Sequence, residues 1–257
     1  MTFEAGSLAD AKDLIAGKVA SLIGTRPVDA AIQPLTPFRR KKLLLADMDS
    51  TMIGQECIDE LADFAGVKAE VAAITERAMH GEIAFEPALR ARVALLKGMA
   101  TSIVDQVIAE RIHLTPGGTA LVATMKAHGA FTALISGGFD VFTSKIAAKI
   151  GFDINRANRL LVEGECFTGH VAEPILGRAA KKAALEELAL TKGLDMRATM
   201  AVGDGANDLD MITLSGLGIA FHAKPKVAAA AEVSIQHNDL TALLYVQGFG
   251  REDFVGG

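Results

Sequence analysis

The feature that most constrains this sequence is an apolar run that stops abruptly at two aspartates. Residues 43–46 are Leu-Leu-Leu-Ala, and Asp47 and Asp49 follow them one residue apart. A short apolar run of this kind indicates a strand that is buried on both faces of a parallel sheet. Ligands of open α/β sheets bind beyond the carboxyl ends of the strands, so both aspartates lie at a candidate site. Two acids in this position suit a nucleophile beside a proton donor, or a site for a hard cation.

A purely structural interpretation of the same stretch is also open. Aspartate is common in turns that follow strands, and Ser50 or Thr51 could cap the first turn of a helix. The rest of the chain has to decide between the two interpretations.

The composition is that of a globular protein. At 257 residues the chain can form one large domain or two unequal ones, and half of its residues are hydrophobic, which argues against disorder. A net charge of −5 argues against a nucleic-acid-binding surface. One compact basic cluster, residues 39–42, could bind an anion or could solvate the approach to the first strand.

The cysteine and histidine patterns favour a reducing compartment and argue against zinc. Cys57 and Cys166 lie far apart without a CxxC pair, and the six histidines lack the spacing of a zinc site. No apolar run reaches the length of a membrane span, and the N-terminus shows no signal-peptide pattern. We therefore expect a cytoplasmic protein without a membrane or nucleic-acid partner, and the sequence leaves a homodimer open.

Residues 1–40 predict an N-terminal extension and linker that are too short for a whole regulatory domain. Apolar positions recur at helical spacing between Leu8 and Ile23, and prolines then interrupt the chain at positions 27, 34 and 37. We expect a docked helix followed by a linker.

An almost pure helical signal follows the first strand. Glycines at positions 66, 81 and 98 divide residues 56–113 into four expected helices. Because this block interrupts the alternation of strands and helices, we interpret residues 55–113 as a helical cap, inserted into a core of residues 41–54 and 114–257. A cap over the strand ends can close and exclude water.

Strand and helix signals alternate again after residue 114, which predicts an α/β fold with a doubly wound, Rossmann-like parallel sheet. Strands are expected at 130–135, 198–202 and 217–220, with a short one at 234–235 and a hairpin within 159–171, where Gly164 and Gly169 are expected in turns. The strand at 130–135 is expected to end in the turn Ser136-Gly137-Gly138, and the strand at 198–202 in an acidic loop. In such a sheet these ends lie beside the end of the first strand.

Two aspartates in the acidic loop complete a candidate metal site. Asp204 and Asp208 are four residues apart where the strand passes into a helix, so both can face Asp47. Carboxylate oxygens suit Mg²⁺, which keeps several waters and accepts a phosphate oxygen from a substrate. Acids favoured at a helix N-terminus by the macrodipole would explain one or two of these carboxylates, but hardly four at strand ends.

Two further features suit an anion. Ser136-Gly137-Gly138 offers backbone N–H groups, a hydroxyl and room for close approach, although such a sequence is also common in ordinary turns. Lys181 could hold the anion and balance the acids, although a lone helical lysine is usually just solvated.

Four motifs in this order resemble those of the haloacid dehalogenase superfamily, whose phosphatases work through an aspartyl-phosphate. They are Asp47-Met-Asp49-Ser-Thr51, Ser136-Gly-Gly, Lys181 and Gly203-Asp-Gly-Ala-Asn-Asp208. Within that superfamily the chain is similar to the phosphoserine phosphatases, in segments that include Glu56-Cys-Ile-Asp-Glu60, Ile74-Thr-Glu-Arg-Ala-Met79 and Phe85 through Arg92 to Gly98.

The resemblance implies a role for each matching residue. Asp47 would be the nucleophile, and Asp49 would protonate the leaving group and then activate water. The Mg²⁺ ligands would be Asp47, Asp204, Asp208 and the backbone carbonyl of Asp49. The phosphate would be held by Ser136, Gly137 and Lys181, with Asn207 in support. In the cap, Glu56 would bind the substrate ammonium and Arg92 its carboxylate, under an apolar lid of Met79 and Phe85.

Elementary geometry supports part of the cap assignment. Phe85 and Arg92 are seven residues apart, so they share one helix face. An arginine fork matches a carboxylate through two parallel hydrogen bonds, and Glu56 supplies the opposite charge for an ammonium. Without the motif context, a surface ion pair between Glu56 and Arg92 and a core position for Phe85 would be the ordinary alternatives.

The resemblance therefore implies a Mg²⁺-dependent hydrolase of a small phosphomonoester, O-phosphoserine, in serine biosynthesis. One rival is a phosphatase or phosphotransferase for another small phosphorylated amine or alcohol, which would not need Arg92 to bind a carboxylate. A second is a non-catalytic phospholigand-binding protein, which would not need intact Asp47 and Asp49. A pump-type ATPase shares the chemistry but needs membrane spans.

Overall fold

A parallel sheet with helices on both faces forms the centre of the protein. The computed structural model describes residues 35–256, residues 26–33 and positions 15, 18, 19, 21, 22 and 24. Its strands are β1 (Leu43–Ala46), β2 (Phe131–Phe139), β3 (Ile154–Asn158), β4 (Leu160–Glu163), β5 (Cys166–Val171), β6 (Thr199–Gly203), β7 (Gly218–Phe221) and β8 (Val233–Ile235). Its α-helices are α1 (Cys57–Ala65), α2 (Lys68–Met79), α3 (Phe85–Ala94), α4 (Ile103–Glu110), α5 (Gly118–Ala127), α6 (Asp140–Ile150), α7 (Arg178–Thr191), α8 (Leu209–Leu214), α9 (Pro225–Ala230) and α10 (Ala242–Val246).

In this part of the chain six strands form one sheet in the order β3-β2-β1-β6-β7-β8, and every neighbouring pair is parallel. The expected α/β fold with a doubly wound sheet is confirmed. The helix expected near the N-terminus lies largely outside the described residues, as does Pro34 of the expected linker. None of the helices in the described part has both the length and the apolar character that a membrane-spanning segment requires.

The apolar run of β1 is explained by burial on both faces. Leu43 and Leu45 belong to one hydrophobic cluster, Leu44 and Ala46 belong to the other, and all four side chains are fully buried. A strand that is covered on both sides needs apolar residues at every position rather than at alternate ones.

The central position of β1 brings three strand ends together. Ala46 pairs with Leu134 of β2 on one side and with Val202 of β6 on the other. The backbone N–H of Asp47 then donates to Val202 O at 3.0 Å. The acidic segments that follow β1 and β6 therefore lie beside residues 136–138 of β2, at one edge of the sheet.

The expectation that the second strand ends at Ile135 is wrong. β2 continues through Ser136-Gly137-Gly138 to Phe139, which pairs with Asn158 of β3. The ladder shifts register between Ile135 and Phe139, so the three residues 136–138 face only Ala157. This segment is therefore a bulge inside a strand rather than a turn after it.

β3 was not predicted from the sequence. Its residues, Ile-Asn-Arg-Ala-Asn, contain three polar side chains and form no apolar run. In the described sheet this strand lies at one edge, where part of its surface faces solvent. Edge strands of this kind lack the signal that identifies buried strands.

The expected hairpin is confirmed as the antiparallel pair β4-β5, with one correction. Gly164 lies in the connecting turn, but Gly169 lies within β5 with φ +81°. A Cβ atom at Gly169 would lie 2.9 Å from Cβ of Lys97, so this glycine allows the cap to approach the hairpin. Gly98 N also donates to Phe167 O at 2.8 Å.

The helices α1 to α4 form a cap that is inserted after β1. The two ends of the insertion run side by side, because Ile53 and Leu114 form an antiparallel bridge. Gly66 ends α1 with a left-handed backbone, at φ +70°. The residue boundaries of the division between cap and core remain a prediction.

Most side chains of the basic cluster 39–42 form hydrogen bonds or ion pairs within the protein. Lys41 is buried, and its Nζ donates to Arg197 O at 2.7 Å and to Gly216 O at 2.9 Å. Lys42 is exposed and donates to His128 O, while Arg40 pairs with Asp253. These contacts account for Arg40, Lys41 and Lys42, whereas Nε of Arg39 is buried without a hydrogen-bond partner in the described part of the structure.

Lys41 and Lys42 form a matched pair for a stability test. Lys41→Met leaves two carbonyl groups without their donor, so we expect the free energy of unfolding to fall by about 2 kcal/mol. Lys42→Met should change it by less than about 0.5 kcal/mol, because its contact is exposed. Urea denaturation of the two variants measures the difference, and equal effects would contradict this account of Lys41.

Candidate active site

A buried lysine joins two of the predicted carboxylates. Lys181, on α7, is 1% exposed, and its Nζ lies 2.7 Å from Asp47 Oδ1 and 2.7 Å from Asp208 Oδ1. Burial alone would lower the pKa of Lys181, but the two carboxylates raise it above its ordinary value. The ammonium therefore stays charged inside the protein.

Asp204 completes a cluster of three carboxylates. Asp47, Asp204 and Asp208 each offer an oxygen, and these oxygens lie within 4.8 Å of one another. Burial and the charge of Asp47 raise the pKa of Asp204, and they raise the pKa of Asp208 to about 7 against the pull of Lys181. One buried ammonium faces three acids, and all the donors are oxygens, so the cluster fits a hard divalent cation.

Two glycines shape the loop that carries these acids. A Cβ atom at Gly203 would lie 2.3 Å from Cγ of Asp208, and one at Gly205 would lie 2.3 Å from Oδ1 of Asn207. The missing side chains let both polar residues fold back toward Asp47. Gly205 N donates to Asp208 Oδ2 at 3.1 Å, and Asn207 Nδ2 lies 3.5 Å from Asp47 Oδ2.

Asp47 is held from several directions at the end of β1. Its side chain is almost fully buried, and Met48 N donates to Oδ1 at 2.7 Å. Lys181 contacts the same oxygen, while Asn207 approaches the other. A carboxylate with a fixed orientation and a neighbouring cation is suited to attack an electrophile.

Asp49 lies in a setting that keeps it protonated. Cys57 N donates to Asp49 Oδ1 at 3.3 Å, and a Cβ atom at Gly138 would lie 2.8 Å from Oδ2. Loss of solvent, followed by the charges of Glu56 and Asp47, raises the pKa of Asp49 to about 8. A neutral carboxylic acid can act as a general acid, and its neighbour Asp47 is then available for a separate role as nucleophile.

The bulge 136–138 contacts Asp49 of the core and Phe85 of the cap. Ser136 is buried, and its Oγ accepts a hydrogen bond from Gly138 N at 2.9 Å. The ring of Phe85, at the start of α3, covers Gly137, because a Cβ atom there would lie 3.6 Å from Cζ. Phe85 is 40% exposed, so part of this apolar side chain remains open to solvent.

The predicted substrate-binding charges in the cap have mainly neutral partners. Glu56 accepts a hydrogen bond from Ser50 at 2.7 Å. Arg92 donates from Nε to Ala88 O at 3.3 Å and from Nη1 to Thr75 Oγ1 at 3.4 Å. Burial lowers the pKa of Arg92, and the charges of Asp59 and Glu56 oppose that shift.

Met79 is the least engaged of the predicted site residues. Its side chain is 69% exposed and lines a surface depression of the cap with Asp59 and Thr75. Thr75 also contacts Arg92, so Met79 and Arg92 belong to one region of the cap. The contacts described for Arg92 and Met79 are with cap residues, and their part in substrate binding remains a prediction.

Three features of the site were not predicted. Gly138 was predicted only as part of the anion-binding sequence Ser136-Gly137-Gly138, and its close approach to Asp49 cannot be read from the sequence. Thr75 orients Arg92 from the neighbouring helix. Asn158 contacts the bulge from β3, the strand that sequence patterns missed.

Comparison with known protein families settles the family of the chain. A model of haloacid dehalogenase-like hydrolases matches residues 44–213. The chain belongs to this family. The matched range contains Asp47, Lys181 and the acidic loop described above.

Several relatives within this family are phosphoserine phosphatases. One from Albidiferax ferrireducens is 45% identical over 208 residues, which are 79% of this chain and 88% of that protein. One from Streptomyces coelicolor is 42% identical over 227 residues, or 88% of this chain, and the chain spans only 55% of that protein's length. A solved phospho-aspartyl intermediate analogue of a phosphoserine phosphatase superposes with a TM-score of 0.74 at 43% identity, over 80% of this chain and 98% of that one.

The raised pKa values predict how stability depends on pH. Asp49 and Asp208 have pKa values of about 8 and about 7 in the folded protein, against 3.8 for an ordinary aspartate. At pH values between the ordinary pKa of aspartate and these raised pKa values, the folded state binds more protons than the unfolded state. The free energy of unfolding should therefore fall as pH rises through this range. A divalent cation competes with those protons, so Mg²⁺ should stabilise the protein more at about pH 8 than at about pH 6.

Denaturant unfolding at both pH values, with and without Mg²⁺, measures these effects. Asp208→Asn removes one titrating group and should weaken both the pH dependence and the stabilisation by Mg²⁺. Stability that rises from pH 6 to pH 8 without the cation would contradict this electrostatic account.

Proposed function

We propose that this chain hydrolyses O-phosphoserine to serine and phosphate, the last step of serine biosynthesis, in the cytoplasm. The observation that carries the proposal is the pairing of Asp47, held by Lys181 at the end of β1, with the neutral acid Asp49. The similarity to phosphoserine phosphatases over most of the chain supports the choice of substrate.

Asp47 is the proposed nucleophile. Its carboxylate oxygen forms a bond to phosphorus while the bond from phosphorus to the serine oxygen breaks, which leaves an aspartyl-phosphate. Lys181 lies against the carboxylate and can stabilise the negative charge that spreads over the phosphoryl oxygens. A solved relative is a phospho-aspartyl intermediate analogue, which supports this route.

Asp49 is the proposed acid and base. As a neutral acid it transfers its proton to the departing serine oxygen, and it then becomes a carboxylate. That carboxylate takes a proton from the water that attacks the aspartyl-phosphate. The bond between Asp47 and phosphorus breaks, phosphate leaves, and both aspartates return to their starting states.

The acid cluster is the proposed Mg²⁺ site. The carboxylates of Asp47 and Asp204 and the backbone carbonyl of Asp49 would hold the ion, with Asp208 bound directly or through water, in keeping with the oxygen donors of the cluster. When bound, the ion supplies positive charge that stabilises the transferring phosphoryl group. Ser136, Gly137 and Lys181 would hold the phosphate, with Asn207 in support.

The cap is proposed to recognise the amino-acid part of the substrate. Arg92 would pair with the carboxylate and Glu56 with the ammonium. Phe85 covers the bulge 136–138 and, with Met79, would close an apolar lid that excludes water. A zwitterion that is desolvated in such a site would discriminate against ligands that lack either charge.

The proposed function is tested by phosphate release from a panel of small phosphomonoesters in the presence of Mg²⁺. The panel holds phosphoserine, phosphohomoserine, phosphoethanolamine and an aryl phosphate. We expect phosphoserine to give the largest kcat/KM and Asp47→Asn to release no phosphate from any member. A different preferred substrate would favour the rival small-molecule phosphatase, and no release at all would favour a non-catalytic binding protein.

Arg92 decides whether a substrate carboxylate is recognised. Arg92→Ala should lower kcat/KM for phosphoserine about 100-fold, because a charged hydrogen-bonded pair of this kind contributes about 3 kcal/mol. Phosphoethanolamine has no carboxylate, so its kcat/KM should change little. Steady-state kinetics with both substrates measure the ratio.

Arg90→Ala is the matched control for this experiment. Arg90 is on the same helix, but it is exposed and pairs with Glu173 at 2.6 Å and with Glu86 at 3.4 Å. Its removal should leave the ratio of the two substrates unchanged. Equal losses for both substrates in Arg92→Ala would show that no carboxylate is read at this position.

A further inference from the structure

The bulge in β2 leaves a backbone carbonyl without a partner in the ladder. The sheet pairs Ile135 with Arg156 and then Phe139 with Asn158, so only Ala157 faces the three residues between. The carbonyl of Gly137 instead accepts a hydrogen bond from Asn158 Nδ2 at 2.8 Å. A side chain has therefore taken over the role of the missing strand contact.

Asn158 also contacts a second segment. Its Nδ2 donates to Leu176 O at 3.1 Å, and its Oδ1 accepts from Leu176 N at 2.6 Å. The side chain is 2% exposed, so these three bonds satisfy an amide that has almost no access to water. Leu176 leads into α7, the helix that carries Lys181. One buried amide thus joins the proposed phosphate-binding bulge to the segment that starts the lysine helix.

The bond to Gly137 sets the direction of a donor at the site. In a trans peptide the C=O of Gly137 and the N–H of Gly138 point in opposite directions. Because the C=O faces Asn158, the N–H faces Ser136 Oγ, on the side where Gly138 approaches Asp49. A peptide that rotated away from Asn158 would turn this N–H away from the site.

The cap rests on both segments that Asn158 joins. A Cβ atom at Gly137 would lie 3.6 Å from the Phe85 ring, and one at Gly177, next to Leu176, would lie 3.4 Å from the same ring. The ring therefore lies across the bulge and the start of α7. If the two segments moved apart, the surface under Phe85 would be lost.

We infer that Asn158 is a positioning residue for phosphate binding, because it orients the Gly137–Gly138 peptide and holds the bulge against the segment that leads to Lys181. The inference rests on the proposed function for the identity of the reaction. It requires only that a phosphate binds beside Ser136, Gly137 and Lys181. Asn158 would act through Gly137 and Leu176, the two residues to which its amide is hydrogen-bonded, rather than on the substrate itself.

Asn158→Asp tests this inference with little change in size. The variant keeps the acceptor for Leu176 N, but it replaces both donors with an oxygen that faces the carbonyls of Gly137 and Leu176. We expect the dissociation constant of inorganic phosphate, measured with Mg²⁺ by calorimetry, to rise about tenfold for the loss of one well-placed hydrogen bond. We expect kcat for phosphoserine to fall about 100-fold, since small displacements of reacting groups have effects of this size.

Asn155→Asp is the matched control. Asn155 lies three residues earlier on the same strand, and its Oδ1 accepts a hydrogen bond from Thr143 Oγ1 at 3.0 Å, away from the bulge. It receives the same chemical change and tests whether a negative charge on β3 is harmful in itself. All variants are measured well below their unfolding temperatures, and the control should bind phosphate like the wild type.

The outcomes separate a positioning role from a structural one. If Asn158→Asp unfolds more easily but the folded enzyme keeps the phosphate affinity and kcat of the wild type, the inference is wrong. If Asn158→Asp does not fold, Asn158→Ser receives the same measurements, and wild-type phosphate affinity in that variant overturns the inference as well. A wild-type protein that binds phosphate but does not hydrolyse phosphoserine would overturn the proposed function alone.

Discussion

The contact between the ammonium of Lys181 and the carboxylates of Asp47 and Asp208 is the interaction on which the rest of the site depends. Three acids in a small, largely buried volume repel one another, and a buried charge without a partner is costly. Lys181 balances only part of that charge, and burial together with the charge of Asp47 raises the pKa of Asp208 to about 7. The remaining negative charge suits the cluster to a hard cation, and the proposed role of the same lysine is to hold a phosphoryl group.

The parallel sheet creates this arrangement, and glycines refine it. Because β1 lies between β2 and β6, the segments that follow β1 and β6 lie next to the last residues of β2 at one edge of the sheet. Gly203, Gly205 and Gly138 then allow the approach of Asp208, Asn207 and Asp49 over distances that a side chain would block. The geometry of the acids is thus set by the backbone of the core. The cap adds the charge of Glu56 beside Asp49 and the ring of Phe85 against Gly137.

Local sequence patterns predict those elements that contain an apolar run or a recognisable motif. The buried strands β1, β6 and β7 were recognisable as apolar runs, and the acids and Lys181 through their motif. β3 carries no such signal because its polar residues lie at a sheet edge, and the sequence of residues 136–138 predicts a turn where the structure has a bulge. The bulge accepts a hydrogen bond from Asn158, about twenty residues further along the chain, and no local pattern reveals such a contact. The same limit applies to Thr75, which orients Arg92 from another helix.

The central claim is that Asp47 takes the phosphoryl group covalently, and trapping the intermediate tests it most directly. The enzyme is mixed with phosphoserine and Mg²⁺, stopped with acid within one turnover, and reduced with borohydride, which converts an aspartyl-phosphate side chain to that of homoserine. Peptide mass spectrometry should find this reduction product at position 47 and should not find it when substrate is omitted. Phosphate released at the normal rate with no product at position 47, or with the product at another aspartate, would contradict the account.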